Sequence, residues 1–199
     1  MAFKSLIGAA CAGLVLVSFS ANAALIGRLE TSPGSGAFQA YYDTDYNLTW
    51  TTDSQAIPGR AYQERAIARV SAYEVDGVNG WRLPTVNEFD DLYHMTLGNP
   101  GGGGNEVNVG PFQNVYLSGG NVAHYWTSDV WDYNPVYSLA FSWWSGGDVN
   151  HVRGANLNHW AVQSGDVSPV PLPAAAWLFI SAIAGLAGAK RLSRSKGSA

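Results

Sequence analysis

The sequence predicts an α+β domain that has a hairpin near its start, two helices in its middle and an antiparallel meander near its end. Apolar residues alternate in the segments at both ends of the domain, and they recur at helical spacing between those segments. Turn signals rich in glycine and aspartate separate the segments. The chain has 199 residues, 47% hydrophobic and 13% charged. This composition excludes disordered, collagen-like and coiled-coil proteins.

The first predicted elements are a hairpin and a helix. Residues 38–42 and 47–51 are typical of strands, and the turn between them contains two aspartates, which favour turns. A helix is expected over about residues 62–73, where apolar residues recur at helical spacing, and glycines at 77 and 80 follow it.

A second helix begins after Thr85. Thr85 and Glu88 have the spacing of a capping box, in which each side chain satisfies a free backbone N–H at the helix start. Apolar residues then recur along one face as far as Leu97. Residues 98–110 form a glycine-rich loop; it lacks the Lys-Ser/Thr ending of a phosphate-binding loop, so that alternative has little support.

The last third of the domain is predicted to form the three strands of the meander, at residues 124–128, 136–144 and 160–163. Large and small side chains alternate along the middle strand. Trp143 and Trp144 are adjacent, so they should point to opposite faces of the sheet, one toward the core and the other toward solvent.

The N-terminus is typical of a secretory signal peptide, residues 1–23. Lys4 precedes an apolar run over residues 6–19, and small residues before Ala24 suit a signal peptidase. Cys11 would leave with this peptide. The mature chain is then expected to contain no cysteine, which excludes disulfides, thiolate metal sites and cysteine nucleophiles.

The C-terminal segment, residues 168–199, combines a proline-rich stalk, an apolar stretch over 172–189 and a basic tail. The apolar stretch would span about 27 Å as a helix, enough for a thin bilayer. Together these features resemble the PEP-CTERM sorting signal of Gram-negative bacteria, with Leu172 where the usual motif has glutamate. The corresponding sorting motif here is Val170, Pro171, Leu172 and Pro173.

This resemblance implies an exosortase-type membrane protease as partner. It also implies transient anchoring in the inner membrane by the C-terminal helix, followed by display at the cell surface or release, in association with extracellular polysaccharide and biofilm. The basic tail should remain cytoplasmic and the preceding domain should lie outside.

The domain between the two targeting segments, residues 24–167, carries a second resemblance. The segments 80–85 (GWRLPT), 125–128 (YWTS) and 160–162 (WAV) resemble the Lcl C-terminal domain family. The resemblance implies a C-type-lectin-like fold without the usual disulfides. The motif itself favours structural roles for Trp81, Arg82 and Pro84 over ligand contacts.

Charge and residue spacing exclude several functions. Residues 24–167 contain fifteen acidic residues, six arginines and no lysine, a formal charge of −9. Such a domain should repel nucleic acid, and binding of sulfated glycosaminoglycans is disfavoured. No two of the four histidines have the i, i+4 spacing of a helical zinc site, and Asp90 and Asp91 point to different helix faces. We therefore expect no enzymatic activity and no cofactor.

Calcium is the strongest metal alternative. Asp43, Asp45 and Asn47 begin like a calcium loop, but Leu48 replaces the required glycine and Ser54 the closing glutamate. A turn stabilised by aspartate side chains is the preferred interpretation, and no metal site is predicted.

The remaining candidates are aromatic and amide side chains in and around the meander, because sugars stack on aromatic rings and hydrogen-bond to amides. They are Trp131, Tyr133, Trp143, Trp144, Asn150, Asn156 and Asn158. The sequence thus predicts a noncatalytic protein associated with extracellular polysaccharide. The alternatives are a structural or protein-adhesion component without a small ligand, and aromatic residues that simply pack the core.

Overall fold

The computed structural model describes residues 25–102 and 106–167. Its seven strands are β1 (Leu25–Glu30), β2 (Phe38–Asp43), β3 (Leu48–Thr51), β4 (His124–Val130), β5 (Tyr137–Ser142), β6 (Gly147–Val152) and β7 (Val162–Ser164). They form an antiparallel four-stranded sheet in the order β1-β2-β3-β7 and an antiparallel three-stranded sheet in the order β4-β5-β6. This mixture of antiparallel sheets and a few helices confirms the predicted class.

The helices are short. Helix α1 covers Gln63–Ser71, and α2 covers Val86–Asp90 and continues directly into a π-helical segment, Asp91–Thr96. A 3₁₀ turn, Asn121–Ala123, leads into β4. The predicted capping box is confirmed: the Glu88 N–H donates to the Thr85 hydroxyl at 3.1 Å, and the Thr85 N–H donates to the Glu88 carboxylate at 2.8 Å.

The strand pairing corrects the predicted meander. Its third strand is β6, not residues 160–163, because β7 pairs with β3 through Trp50 and Val162 in the other sheet. The sequence analysis missed β6 because this edge strand is largely polar and its start coincides with a glycine turn signal. It also missed β1, which pairs with β2 and contains only two strongly apolar positions before Leu29.

Two hydrophobic cores lie on opposite faces of the β4-β5-β6 sheet. Adjacent residues on one strand belong to different cores, because their side chains point to opposite faces of the sheet. Tyr125 and Phe141 lie in the first core, and Trp126 and Ala140 lie in the second. Helix α2 covers the first core through Phe89, and α1 covers the second. The sheet is therefore enclosed on both sides over the part of its length nearest the helices.

The predicted signal peptide (1–23) and sorting segment (168–199), including the apolar stretch 172–189 and the sorting motif, lie outside the described residues. Among the residues that the structure describes, no helix has the length and apolar character needed to cross a membrane.

Candidate ligand-binding groove

An aromatic cluster lies where β4 turns into β5. The Trp131 ring contacts the Tyr133 ring and the Tyr137 ring, each with centroids 5.6 Å apart. The turn between the strands is held by the Asn134 N–H, which donates to the Trp131 carbonyl at 3.1 Å. Tyr133 is 87% exposed, so one ring of the cluster projects fully into solvent. We call Trp131, Tyr133 and Tyr137 the aromatic cluster.

The aromatic cluster adjoins an open groove of about 520 Å³ that is lined mainly by the edge strand β6, with contributions from β4 and β5. The groove is lined by Trp131, Leu139, Asp148, Val149, Asn150 and the two histidines His124 and His151. Asp148 and Asn150 are exposed, so a carboxylate and an amide accompany the aromatic ring at the surface. We call this depression the β6 groove.

The two histidines of the groove contact each other. The Nδ1 atom of His124 lies 2.8 Å from the Nε2 atom of His151, although the residues are 27 positions apart. Burial, followed by the charges of His151 and Arg60, lowers the pKa of His124 to about 4. Burial and the Arg60 charge also lower the pKa of His151. Both rings are therefore neutral near pH 7.

The family model of the Lcl C-terminal domain matches residues 39–163, which is more than half of the chain. The chain belongs to this family. The matched region runs from β2 to β7, so the Lcl domain contains the aromatic cluster, the β6 groove and both cores. No curated protein sequence matches the chain.

Three of the predicted ligand-contacting residues of the Lcl domain lie together. Trp131 contacts Tyr133, and Trp131 and Asn150 line the same groove. Trp144 is 45% exposed but packs beside Gly119, outside the residues that line the groove. Asn156 is exposed and is likewise not among those residues.

Two other predicted residues are corrected by the structure. Trp143 is fully buried, with its ring 5.3 Å from Trp160, so a sugar cannot stack on it. Asn158 is also buried, and its amide donates to the Val122 carbonyl at 2.6 Å and the His124 carbonyl at 3.2 Å. Its hydrogen bonds hold the segment before β4, which leaves it no surface for a ligand.

The weak calcium candidates stabilise the β2–β3 turn of the Lcl domain. The buried Asp43 carboxylate accepts the Asp45 N–H at 3.1 Å and the Thr96 hydroxyl at 2.6 Å. The Asn47 side chain accepts the Tyr42 hydroxyl at 2.9 Å. This geometry matches the turn interpretation. Within residues 25–102 and 106–167, no three His, Cys, Asp or Glu side chains form a group that could hold a metal ion.

The motif of residues 80–85 also has structural contacts in the Lcl domain. Trp81 is buried in the second core, and its indole N–H donates to the Val78 carbonyl at 3.1 Å. Arg82 donates hydrogen bonds to the Glu88 carboxylate through its Nη1 and Nη2 atoms. The Pro84 carbonyl accepts the Ser128 N–H at 2.8 Å, which ties the start of α2 to β4.

Sequence reasoning missed the contribution of the two groove histidines and of Tyr137. It considered histidine pairs only at helical spacing, whereas this pair joins β4 to β6 across the intervening strand. In the structure His151 pairs with Ser138 on β5. The proximity of His151 to His124 depends on twist and side-chain direction, which residue spacing does not encode.

Proposed function

We propose that this chain is a noncatalytic, exported Lcl-domain protein that binds extracellular polysaccharide at the β6 groove. The observation that carries the proposal is the position of the aromatic cluster beside an open groove with an exposed carboxylate and amide. The apolar face of a sugar ring stacks on an indole or phenol ring, and its hydroxyls hydrogen-bond to polar groups such as Asp148 and Asn150.

Charge restricts the class of polysaccharide. Residues 24–167 have a formal charge of −9 and no lysine, and the groove itself contains Asp148. A polyanion such as a sulfated glycan would be repelled both by the domain as a whole and by this carboxylate. The proposed ligand is therefore a neutral or weakly charged polysaccharide.

The proposal includes a C-type-lectin-like fold. The first and last strands of the described domain lie in one sheet, and a separate meander presents the groove, which supports the likeness. Because one fold serves many functions, the groove rather than the fold provides the argument for binding.

The proposal also includes export and sorting. Residues 1–23 would be removed as a signal peptide, and an exosortase-type protease would recognise Val170, Pro171, Leu172 and Pro173 and remove the apolar stretch 172–189 with the basic tail. Intact mass of the protein recovered from its native host tests this step. A mass that retains the C-terminal segment would contradict it.

Binding is tested by glycan-array and exopolysaccharide pull-down experiments on the secreted protein. Trp131→Ala and Tyr133→Ala should each weaken binding by about two- to twelvefold, since one stacked ring contributes about 0.5–1.5 kcal/mol. Trp144→Ala is the matched control, because it removes an exposed tryptophan outside the groove. Absence of binding by the parent protein, or an equal loss in the control, would contradict the proposal.

A protein-adhesion role is the second candidate, and one observation favours it. Three exposed valines, Val130, Val136 and Val152, lie in the same hairpin region as the aromatic cluster, with exposed fractions of 48%, 59% and 45%. Exposed apolar side chains near one another are typical of protein contacts. If the protein acts in protein adhesion, Val136→Lys should abolish capture of a matrix protein. If it binds polysaccharide, the same substitution should leave binding unchanged.

A further inference from the structure

We propose that His124 and His151 form a binding site for one divalent transition-metal ion, with Cu²⁺ and Ni²⁺ as the preferred ions. Imidazole nitrogens are common ligands of these metals. The proposal is independent of polysaccharide binding, because it concerns the metal ion alone and is tested without a glycan.

The separation of the two nitrogens suits this role. Metal–nitrogen bonds of about 2.0 Å place two ligands roughly 2.8 Å apart at a right angle and roughly 3.3 Å apart at a tetrahedral angle. The His124 Nδ1 and His151 Nε2 atoms are 2.8 Å apart. This value is closer to the separation expected for tetragonal Cu²⁺ or Ni²⁺ than to the separation expected for tetrahedral Zn²⁺.

The tautomers allow both facing nitrogens to act as ligands. Each neutral imidazole has one N–H and one lone pair, and which nitrogen carries the proton depends on its surroundings. In the structure the two facing nitrogens are hydrogen-bonded, so one of them carries a proton. A metal ion would bind once that proton moves to the other nitrogen of the same ring, which leaves a lone pair on each facing nitrogen. Both lone pairs are then directed toward the space between the rings.

The surroundings leave room for the other ligands of the ion. Both histidines line the β6 groove, which is open to solvent, so water can occupy the remaining coordination positions. Asp148 lines the same groove and favours a cation there, whereas Arg60, whose charge acts on both histidines, opposes one. The opposing charges of Asp148 and Arg60 predict a moderate affinity for the metal ion, with one ion bound per chain.

The test is a calorimetric titration with Cu²⁺ and Ni²⁺ of protein purified without a polyhistidine tag, combined with electron paramagnetic resonance of the Cu²⁺ complex. The parent should bind one Cu²⁺ with hyperfine coupling from two imidazole nitrogens. His124→Asn and His151→Asn should each weaken binding at least about tenfold, in line with the loss of a metal-site interaction.

Asn150→Ala is the control, since it changes the same groove without removing a nitrogen of the pair. Circular dichroism of each variant confirms that it is folded. Retained affinity in Asn150→Ala, together with weakened affinity in either folded histidine variant, supports the site. Equal Cu²⁺ affinity in the parent and both histidine variants, or a spectrum without two nitrogen ligands, would overturn it.

Discussion

Arg82 and Glu88 form a two-pronged ion pair beside the first turn of α2, with Nη1–Oε2 and Nη2–Oε1 distances of 2.8 and 2.6 Å. The same carboxylate caps the helix through the Thr85 N–H, while the Arg82 backbone pairs with Val162, the first residue of β7. Burial raises the pKa of Glu88. The Arg82 guanidinium and the Thr85 hydrogen bonds lower it by more, so the net shift of the pKa is downward. The pair thus connects the helix start to the four-stranded sheet.

Replacing Glu88 with alanine removes both the ion pair and half of the capping box. We expect a loss of about 1–2 kcal/mol in the free energy of unfolding, since the partly exposed pair is screened by solvent and a lost cap costs a similar amount. Urea unfolding measures the loss, with Arg65→Ala, an exposed position on α1, as the control. Because the Glu88 pKa is lowered by folding, the difference should shrink as the pH falls through its folded value.

The adjacent tryptophans should respond very differently to truncation. Trp143 is fully buried, whereas Trp144 is 45% exposed. Trp143→Ala should cost about 3–5 kcal/mol because it opens a cavity in the first core. Trp144→Ala should change the free energy of unfolding by about 0.5 kcal/mol or less. Similar costs in chemical unfolding would contradict the assignment of one residue to the core and the other to the surface.

Gly146 has a left-handed backbone conformation, with φ of 67°, and it packs directly against the Tyr93 ring. A Cβ atom at this position would lie only 2.3 Å from Tyr93 Cε1. Gly146→Ala should therefore destabilise the protein by about 2 kcal/mol or more, through strain and displacement of the ring.

Gly147 is the matched control for this substitution, because a Cβ atom there has no neighbour within 4 Å. Gly147→Ala should leave the melting temperature within a few degrees of the parent value. Equal melting temperatures for the two variants would refute the steric explanation.

Stability should fall as the pH drops from about 7 toward 4. His159 is buried, and burial together with the Arg69 charge lowers its pKa to about 4. The unfolded chain takes up a proton near pH 6.5, whereas the folded chain does not. The stability that depends on neutral His159 is thus complete above pH 6.5 and is lost as the pH falls.

The maximum slope is about 1.4 kcal/mol per pH unit for each such histidine. Urea unfolding between pH 7.5 and 5.5 avoids most carboxylate titration. His124 and His151, whose pKa values burial also lowers, contribute to the slope of the parent, so the comparison with a His159 variant isolates the share of His159. His159→Gln should give a shallower slope than the parent. A free energy of unfolding that is constant or rises on acidification over this range would contradict the prediction.

The sequence by itself determined the elements that depend on neighbours along the chain. The β2–β3 hairpin, helix α1 and the Thr85–Glu88 capping box all follow from contacts between residues a few positions apart. The alternation that leads into Trp143 and Trp144 likewise predicted that they differ in exposure, and they do. The predicted strand 136–144 was too long, however, because β5 ends at Ser142 and both tryptophans lie in the turn after it.

Only the tertiary structure decided which strands pair and which side chains meet. The edge strand β6 has too few apolar residues to be recognised, and the partner of β7 lies more than a hundred residues earlier in the chain. The choice of Trp143 over Trp144 for the core, and the contact of His124 with His151, require both sheets to be in place. The physical reason is that periodicity reports the direction of a side chain, whereas a partner distant in sequence is selected by how the whole set of strands and helices packs.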